Sequence, residues 1–281
     1  MTETRSDLIY DIGLFDGSDT AYYLFRGYNV VAVDANPLMI EKAKLRFARE
    51  IEAKRLKLLN VGIAERPGTA TFWISDVPGW SSFDRTLASR DGTAHRPVSV
   101  SGVPFSQLLA ENGIPHYLKI DIVGNDKLCV NALRGNKIPR FISVGVDRVR
   151  DSTVVSEEQA TAMLDLLRDV GYTRFKLVVQ GLGYRSVRRN RFTSLCLRLV
   201  TSAARGRLRV RGVSKIVERF TDSARIAPLG FPFSPSCSGP WGDDIPGGWL
   251  TFEEASSVCF RERRPFIRPH HGFWRDWHAT Y

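Results

Sequence analysis

Residues 10–37, YDIGLFDGSDTAYYLFRGYNVVAVDANP, constrain the fold more than any other part of the chain. They read as an apolar strand ending at Asp11, a turn holding Gly13 and Gly17, a short helix, and a second apolar strand over 30–33 ending at Asp34. A strand that runs through a glycine turn into a helix brings backbone close to a ligand, because only glycine lets the main chain approach that near. Asp34 then stands at the tip of the neighbouring strand, where its carboxylate can accept hydrogen bonds from both hydroxyls of a ribose, each charge-assisted bond being worth about 1.5–3 kcal/mol. The stretch is half of a nucleotide-binding unit.

Glycine spacing discriminates between ligands. A dinucleotide fingerprint needs G-x-G-x-x-G, with its second glycine opening the turn to a pyrophosphate. Here position 15 is Phe and position 18 is Ser, so a pyrophosphate is disfavoured. The pattern that remains, D-x-G-x-x-x-G followed by an acid on the next strand, looks like the first two motifs of class I S-adenosylmethionine (SAM) methyltransferases. Asp11 and Asp16 agree with a sulfonium cofactor carrying an ammonium group, which carboxylates attract and which differs in this from a phosphate. The candidate cofactor set here is Asp11, Gly13, Asp16, Gly17, Ser18, Thr20, Asp34, Ala35 and Asn36.

Apolar residues at helical spacing predict an amphipathic helix over 38–52, followed by a third strand over 56–61. The end of that strand would lie beside an adenine, which adds Gly62 and Ile63 to the set. Residues 68–74 alternate like a strand, and 98–100 pair with them at the sheet margin. The intervening loop, PGWSSFD at 78–84, carries an exposed-looking Trp80 and two serines, and reads as a lid over the cofactor with Ser82 in contact. After a short helix over 105–111, HYLKIDI at 116–122 is a buried strand ending at Asp121. A carboxylate at the C-terminal tip of a central parallel strand sits where open α/β sheets bind ligands. Asp121 is therefore the leading candidate for chemistry as well as a cofactor contact. A helix over 125–133, a strand over 141–146, a helix over 157–170 and a strand over 174–179 continue the alternation, which predicts a doubly wound α/β sheet. A short helix over 252–257 precedes an aromatic tail, HHGFWRDWHATY.

The chain has 281 residues and a net charge of +10, but the charge is local. Residues 185–219 hold eleven basic side chains against Glu218 alone, and the remainder is balanced. Four scattered cysteines, 129, 196, 237 and 259, show no ligand or disulfide spacing, and no carboxylate or cysteine cluster surrounds His270, His271 and His278, so no metal site is expected. The polar N-terminus MTETRSD and the lack of a long apolar run predict a cytoplasmic protein.

YDIGLFDGSDTAYYL, VVAVDANP, YLKIDIVGND and SGPWGDDIPGGW, with the terminal WRDWHA, together resemble the FkbM family of SAM-dependent methyltransferases. The resemblance covers 8–180 and about 236–281. It implies a Rossmann-like, mostly parallel seven-stranded sheet formed by a core over 1–182 and a segment over 236–281 completing the core and acceptor site; residues 183–235, outside the resemblance, mix Arg with apolar residues and read as a basic inserted cap. It also implies O-methylation of a hydroxyl on a sugar, glycolipid or other small molecule. In that reaction Asp121 would orient the SAM amino group or the acceptor, with His116, His271 or His278 as base. Two other readings stay open: a nucleic-acid methyltransferase using the basic segment, and a SAM-binding protein without catalysis. The basic segment contains one Phe and no Trp or Tyr, which weighs against nucleic acid as partner. An anionic or carbohydrate acceptor, peripheral contact with an anionic membrane, and a homodimer contact are the other roles open to it.

Overall fold

The computed structural model describes residues 3–77, 79–122, 124–146, 157–179, 184–186, 230–234, 237–262 and 275–281. The chain divides into two compact units, Met1–Val144 with Asp169–Gly171, and Gly145–Arg168 with Tyr172–Tyr281. The division falls at residues 144 and 145, not near 182 as the sequence suggests. Most of the basic segment, 187–229, lies outside the described residues.

In the first unit, strands β1 (Thr4–Ile12), β2 (Asn29–Val33), β3 (Leu56–Leu59), β7 (Ile114–Ile120) and β8 (Phe141–Gly145) form a wholly parallel ladder in the order β8-β7-β1-β2-β3. The order reverses at β1, so β1 and β7 splay their connections apart at the switch point where such sheets bind ligands. β1 is apolar without alternation because both its faces are covered: Leu8, Ile9, Tyr10 and Ile12 are all buried. Helices α1 (Ser18–Phe25), α2 (Pro37–Arg46) and α3 (Ala48–Glu52) lie between its first three strands.

The expected single helix over 38–52 is two helices. Phe47 leaves helical geometry at φ −112° and is buried, its ring edge filling the space beside Gly17. The packing of one aromatic ring thus overrides a helical periodicity. The third strand also stops early. Gly62–Ile63 (β4) joins β5 (Gly68–Ser75) and β6 (His95–Val103) in a separate three-stranded sheet, ordered β4-β6-β5. The expected pairing of 68–74 with 98–100 is present, with Phe72 opposite Val98 and Ala70 opposite Val100, but at no margin of the main sheet. Phe72, Ile74, Val100 and Ala35 form its buried core, with Phe83 and Val98 packed against them. Short α4 (Arg85–Ala88), α5 (Phe105–Asn112) and α6 (Asp126–Asn131) complete the unit.

The second unit contains helix α7 (Glu157–Asp169) as far as Arg168, and strands β9 (Arg174–Val179), β10 (Arg185–Ser186) and β11 (Arg275–Thr280), with β9 antiparallel to both others. β11 is the tail segment RDWHAT, read from the sequence only as aromatic. Its burial on both faces hides the alternation by which strands are recognised. Helix α8 (Phe252–Glu262) runs five residues past its expected end. Without the two-residue β10, the strands of the main ladders in the two units number seven, mostly parallel, and the class is α/β as expected. No helix among the described residues is long and apolar enough to cross a membrane.

One buried bond pair ties α5 to the switch point. The Tyr10 hydroxyl donates to the carbonyls of Leu108 (3.1 Å) and Gly113 (2.8 Å). Tyr10→Phe removes the hydroxyl donor from both carbonyls, although that of Leu108 keeps the Asn112 side-chain amide at 2.9 Å, and should lower stability by about 1 kcal/mol, read as a fall in the urea midpoint without a change in slope.

Candidate active site

The site forms where β1, β2 and β7 end, and its support is electrostatic. Strand register sets Asp11 of β1 directly opposite Lys119 of β7. The Lys119 ammonium reaches Asp11 Oδ1 at 2.9 Å, Asp19 Oδ2 at 3.2 Å and the carbonyl of Gly13 at 2.9 Å. Thr20 Oγ1 donates to the other Asp11 oxygen at 2.6 Å. All four side chains are buried. Burial works against the charge on Lys119, but the carboxylates of Asp11 and Asp19 outweigh it and hold the ammonium well above its usual range. Asp11 and Thr20, expected at the cofactor, are therefore built into the support beneath the turn. Both are buried, with Asp11 held by Lys119 and Thr20 held by Asp11.

The turn above is fastened to β2. The amides of Gly13 and Leu14 both donate to the carbonyl of Val33, at 2.9 and 3.0 Å, and the Phe15 amide donates to Asp34 Oδ2 at 2.8 Å. Gly17 donates to the Leu14 carbonyl, and Ser18 to Asp16 Oδ1. Leu14 is buried in the core. Gly13 has φ +93°, and a Cβ there would lie 2.2 Å from the Asp121 carbonyl oxygen, so glycine is required both for conformation and for the approach of β7. Gly17, at φ +76°, is held equally by the Phe47 ring, 2.7 Å from where its Cβ would be. Asp16 is exposed at the turn's edge, where Arg46 Nη1 donates to its carbonyl at 2.7 Å.

Asp34 accepts one amide on each oxygen, Phe15 on Oδ2 and Asn36 on Oδ1, both at 2.8 Å, which leaves a lone pair on each. Its side chain is crowded yet keeps part of its surface in solvent; desolvation raises the carboxyl to about 6 against the opposing pull of the two amides. Asn60 Nδ2 donates to the Asp34 carbonyl at 2.9 Å, bracing the strand tip. Asn36 caps α2 through the Leu38 amide, with Pro37 at the first helical position, while Ala35 is part of the small-sheet core. A Cβ on Gly62 would sit 2.1 Å from the Phe83 ring, and the Ile63 carbonyl accepts from Asn125 Nδ2 at 2.8 Å. Ser82 is buried, paired through both backbone groups with Trp73, and its Oγ accepts the Asp84 amide. The expected lid is thus stitched to β5 at Ser82, and Trp80 beside it is half-buried under the Arg90 guanidinium at 4.3 Å.

Asp121 follows directly after β7, its amide bonded to the Ile12 carbonyl at 2.8 Å. Its side chain is exposed and makes no hydrogen bond among the described residues. Sequence reasoning passed over Asp126, five residues on, which accepts the amides of Ile122 and Gly124 at 3.2 and 3.3 Å. Desolvation first, and the Asp121 charge second, raise its carboxyl to about 7. The signal was available in VGND, a glycine turn followed by an acid at the start of a helix.

The histidines are placed elsewhere. His116 stands early in β7, stacked on Tyr28 at 5.8 Å, and five residues of strand at about 3.3 Å each put it roughly 16 Å from the strand tip. It is thus too far away to act as base there. His278 lies within β11 of the second unit, fully buried; desolvation and then Lys176 lower it to about 3, which makes it a weak proton acceptor. His271 lies outside the described residues. No cluster of three or more metal-ligating side chains occurs among the described residues.

No family model matches the chain, and no curated protein matches it. Solved structures similar to it include methyltransferase FkbM from Methylobacillus flagellatus KT, at 15% identity over 52% of this chain and 34% of that chain, with a TM-score of 0.35. A precorrin-6y C5,15-methyltransferase from Geobacter metallireducens GS-15 is similar at 14% identity over 66% of this chain and 73% of that one, TM-score 0.33. Phosphoethanolamine N-methyltransferase 2 from Haemonchus contortus, in complex with S-adenosyl-L-methionine, is similar at 12% identity over all of this chain and 49% of that one, TM-score 0.35. The chain spans about a third of the length of the FkbM structure.

Lys119→Met leaves Asp11 and Asp19 buried without a counter-charge and the Gly13 carbonyl without a donor. A loss of about 3–5 kcal/mol is expected, measurable by chemical denaturation.

Proposed function

We propose that this protein is a SAM-dependent methyltransferase acting on a hydroxyl of a sugar, glycolipid or other small molecule. The observation that carries the reading is the use of the turn's amides. Those of Gly13, Leu14, Phe15, Gly17 and Ser18 are bonded within the protein, so the turn offers no cradle of free N–H groups to a pyrophosphate. What it does offer is carboxylate: the spare lone pairs of Asp34 and the unengaged side chain of Asp121. Such a mouth suits a nucleoside whose other end is cationic.

In the mechanism, Asp34 binds the ribose hydroxyls, and Asp121 orients the cofactor's amino group or the acceptor. SAM, when bound, supplies an activated methyl group attached to a sulfonium. Asp126 takes the proton from the acceptor hydroxyl, since a carboxyl near 7 is matched to a working pH near neutrality. The similar solved structures are methyltransferases, one of them in complex with SAM, which agrees with this reading.

Two outcomes test it. Calorimetry should show SAM binding, with S-adenosylhomocysteine released when a hydroxylated acceptor panel is added. Asp121→Asn should keep the fold and abolish turnover, and Asp126→Asn should remove an acidic limb centred near pH 7 from the rate profile. Wild-type turnover in both variants would reject the assignments.

Affinity should also follow the ionisation of Asp34. The carboxylate, not the acid, accepts both hydroxyls, so SAM affinity is full above about pH 6 and falls about tenfold per pH unit below it. Asp34→Asn should bind weakly and without that dependence.

A further inference from the structure

Wholly within the second unit, Thr173, Arg174, Trp249, Leu250 and Thr251 line a pocket of about 370 Å³. Its size is within the range of small-molecule sites. Its wall is rigid. The Trp249 indole N–H donates to Asp243 Oδ1 at 2.8 Å, and its ring lies 4.3 Å from the buried Lys176 ammonium. Lys176 is itself fixed by the carbonyls of Gly242 and Ile245, each at 2.9 Å. Leu250 exchanges two backbone hydrogen bonds with Phe175, at 3.0 and 2.8 Å. Thr251 and Glu254 form a reciprocal capping box at the start of α8, the Thr251 amide donating to Glu254 and the Glu254 amide to Thr251 Oγ1. The Thr251 hydroxyl is itself engaged by the Glu253 carboxylate.

On this frame two polar groups are uncommitted. Arg174 and Thr173 are exposed, and neither side chain makes a hydrogen bond or ion pair among the described residues. The pocket thus presents a flat aromatic surface, the Thr173 hydroxyl and a guanidinium fork. An indole face packs against the C–H surface of a saturated ring, hydroxyls pair with ring hydroxyls, and the fork matches a carboxylate or phosphate in two parallel bonds. Arg174 repels cations, and a purely apolar ligand would leave both polar groups unused.

We propose that this pocket binds a pyranose bearing an acidic group, with Trp249 as platform and Arg174 as the anion-recognising residue. The site lies inside one unit and does not depend on methyl transfer, so it stands or falls separately from the cofactor reading.

The test uses the full-length, ¹⁵N-labelled protein without cofactor, following the indole N–H resonance that Trp249→Phe removes. Glucuronate and glucose 6-phosphate should each shift that resonance saturably, while glucose and benzoate bind at least about tenfold more weakly. Arg174→Met should bring both acidic sugars to the level of glucose with an unchanged thermal midpoint. A Trp249 resonance unmoved by either acidic sugar overturns the proposal. So does an acid preference that survives Arg174→Met, and benzoate binding as well as glucuronate removes the sugar ring from it. A response to glucuronate alone, or to glucose 6-phosphate alone, supports the site and tells a carboxylate from a phosphate ligand.

Discussion

The ammonium of Lys119 is the constraint from which the first unit's site follows. It sits on β7 and touches the strand before it in space, the helix after that strand and the turn between them, through Asp11, Asp19 and the Gly13 carbonyl. No hydrophobic contact could fix three backbone segments with such directional specificity. Two carboxyl groups share one cation, and burial raises that of Asp11 against the pull of Lys119. The network is retained in a dry interior only because every charged atom has a partner. The register that sets Asp11 opposite Lys119 also sets Ile12 opposite Ile120, so the tips of β1 and β7 are level. Gly13 and Asp121 meet there because no Cβ intervenes.

In phosphate-binding α/β folds the glycine turn between strand and helix holds the anion through free amides, and this turn also joins a strand to a helix. It differs in where the amides point. Three consecutive N–H groups, from Gly13 to Phe15, are directed at the tip of β2, and one of them is bonded to the Asp34 carboxylate. The turn therefore orients a carboxylate in place of presenting free amides. Phe15 has φ +50°, a left-handed conformation uncommon for a bulky residue, and its amide bond to Asp34 offsets that strain. The side chain that looks out of place in the sequence marks the position where the backbone matters.

The parts of this arrangement that obey local rules were legible in the sequence. β1, β2, α1 and the position of Asp34 follow from apolar runs, glycines and an acid at fixed spacing, and β9 was placed to the residue. What could not be read depends on partners distant in sequence. Whether Asp11 faces a ligand or a lysine is decided by a strand more than a hundred residues away, and Thr20 follows Asp11. The break at Phe47 is decided by the cavity beside Gly17. The diversion of Gly62 and Ile63 into a second sheet is decided by β6, whose Gly102 and Val103 stand opposite them. His116 looked catalytic from its neighbours in sequence, KID, but a strand separates neighbours along its axis. His116 stands at the opposite end of the strand from Asp121.

The chain's charge illustrates the same point at larger scale. A net charge of +10 would suggest an anionic ligand everywhere, yet the mouth formed by β1, β2 and β7 is ringed by Asp16, Asp34, Asp121 and Asp126. Net charge acts at the distances over which it is unscreened, about 8 Å at physiological salt, so each site experiences its own neighbours and little else. In the second unit the same logic separates Lys176 from Arg174. They alternate on one face of β9, but Lys176 is enclosed by two carbonyls and an indole, whereas Arg174 stands in solvent. Burial first, and the enclosed ammonium second, keep the His278 imidazole neutral, and the ammonium also braces Trp249, so its charge is spent on structure. Recognition is left to the cation that structure does not use.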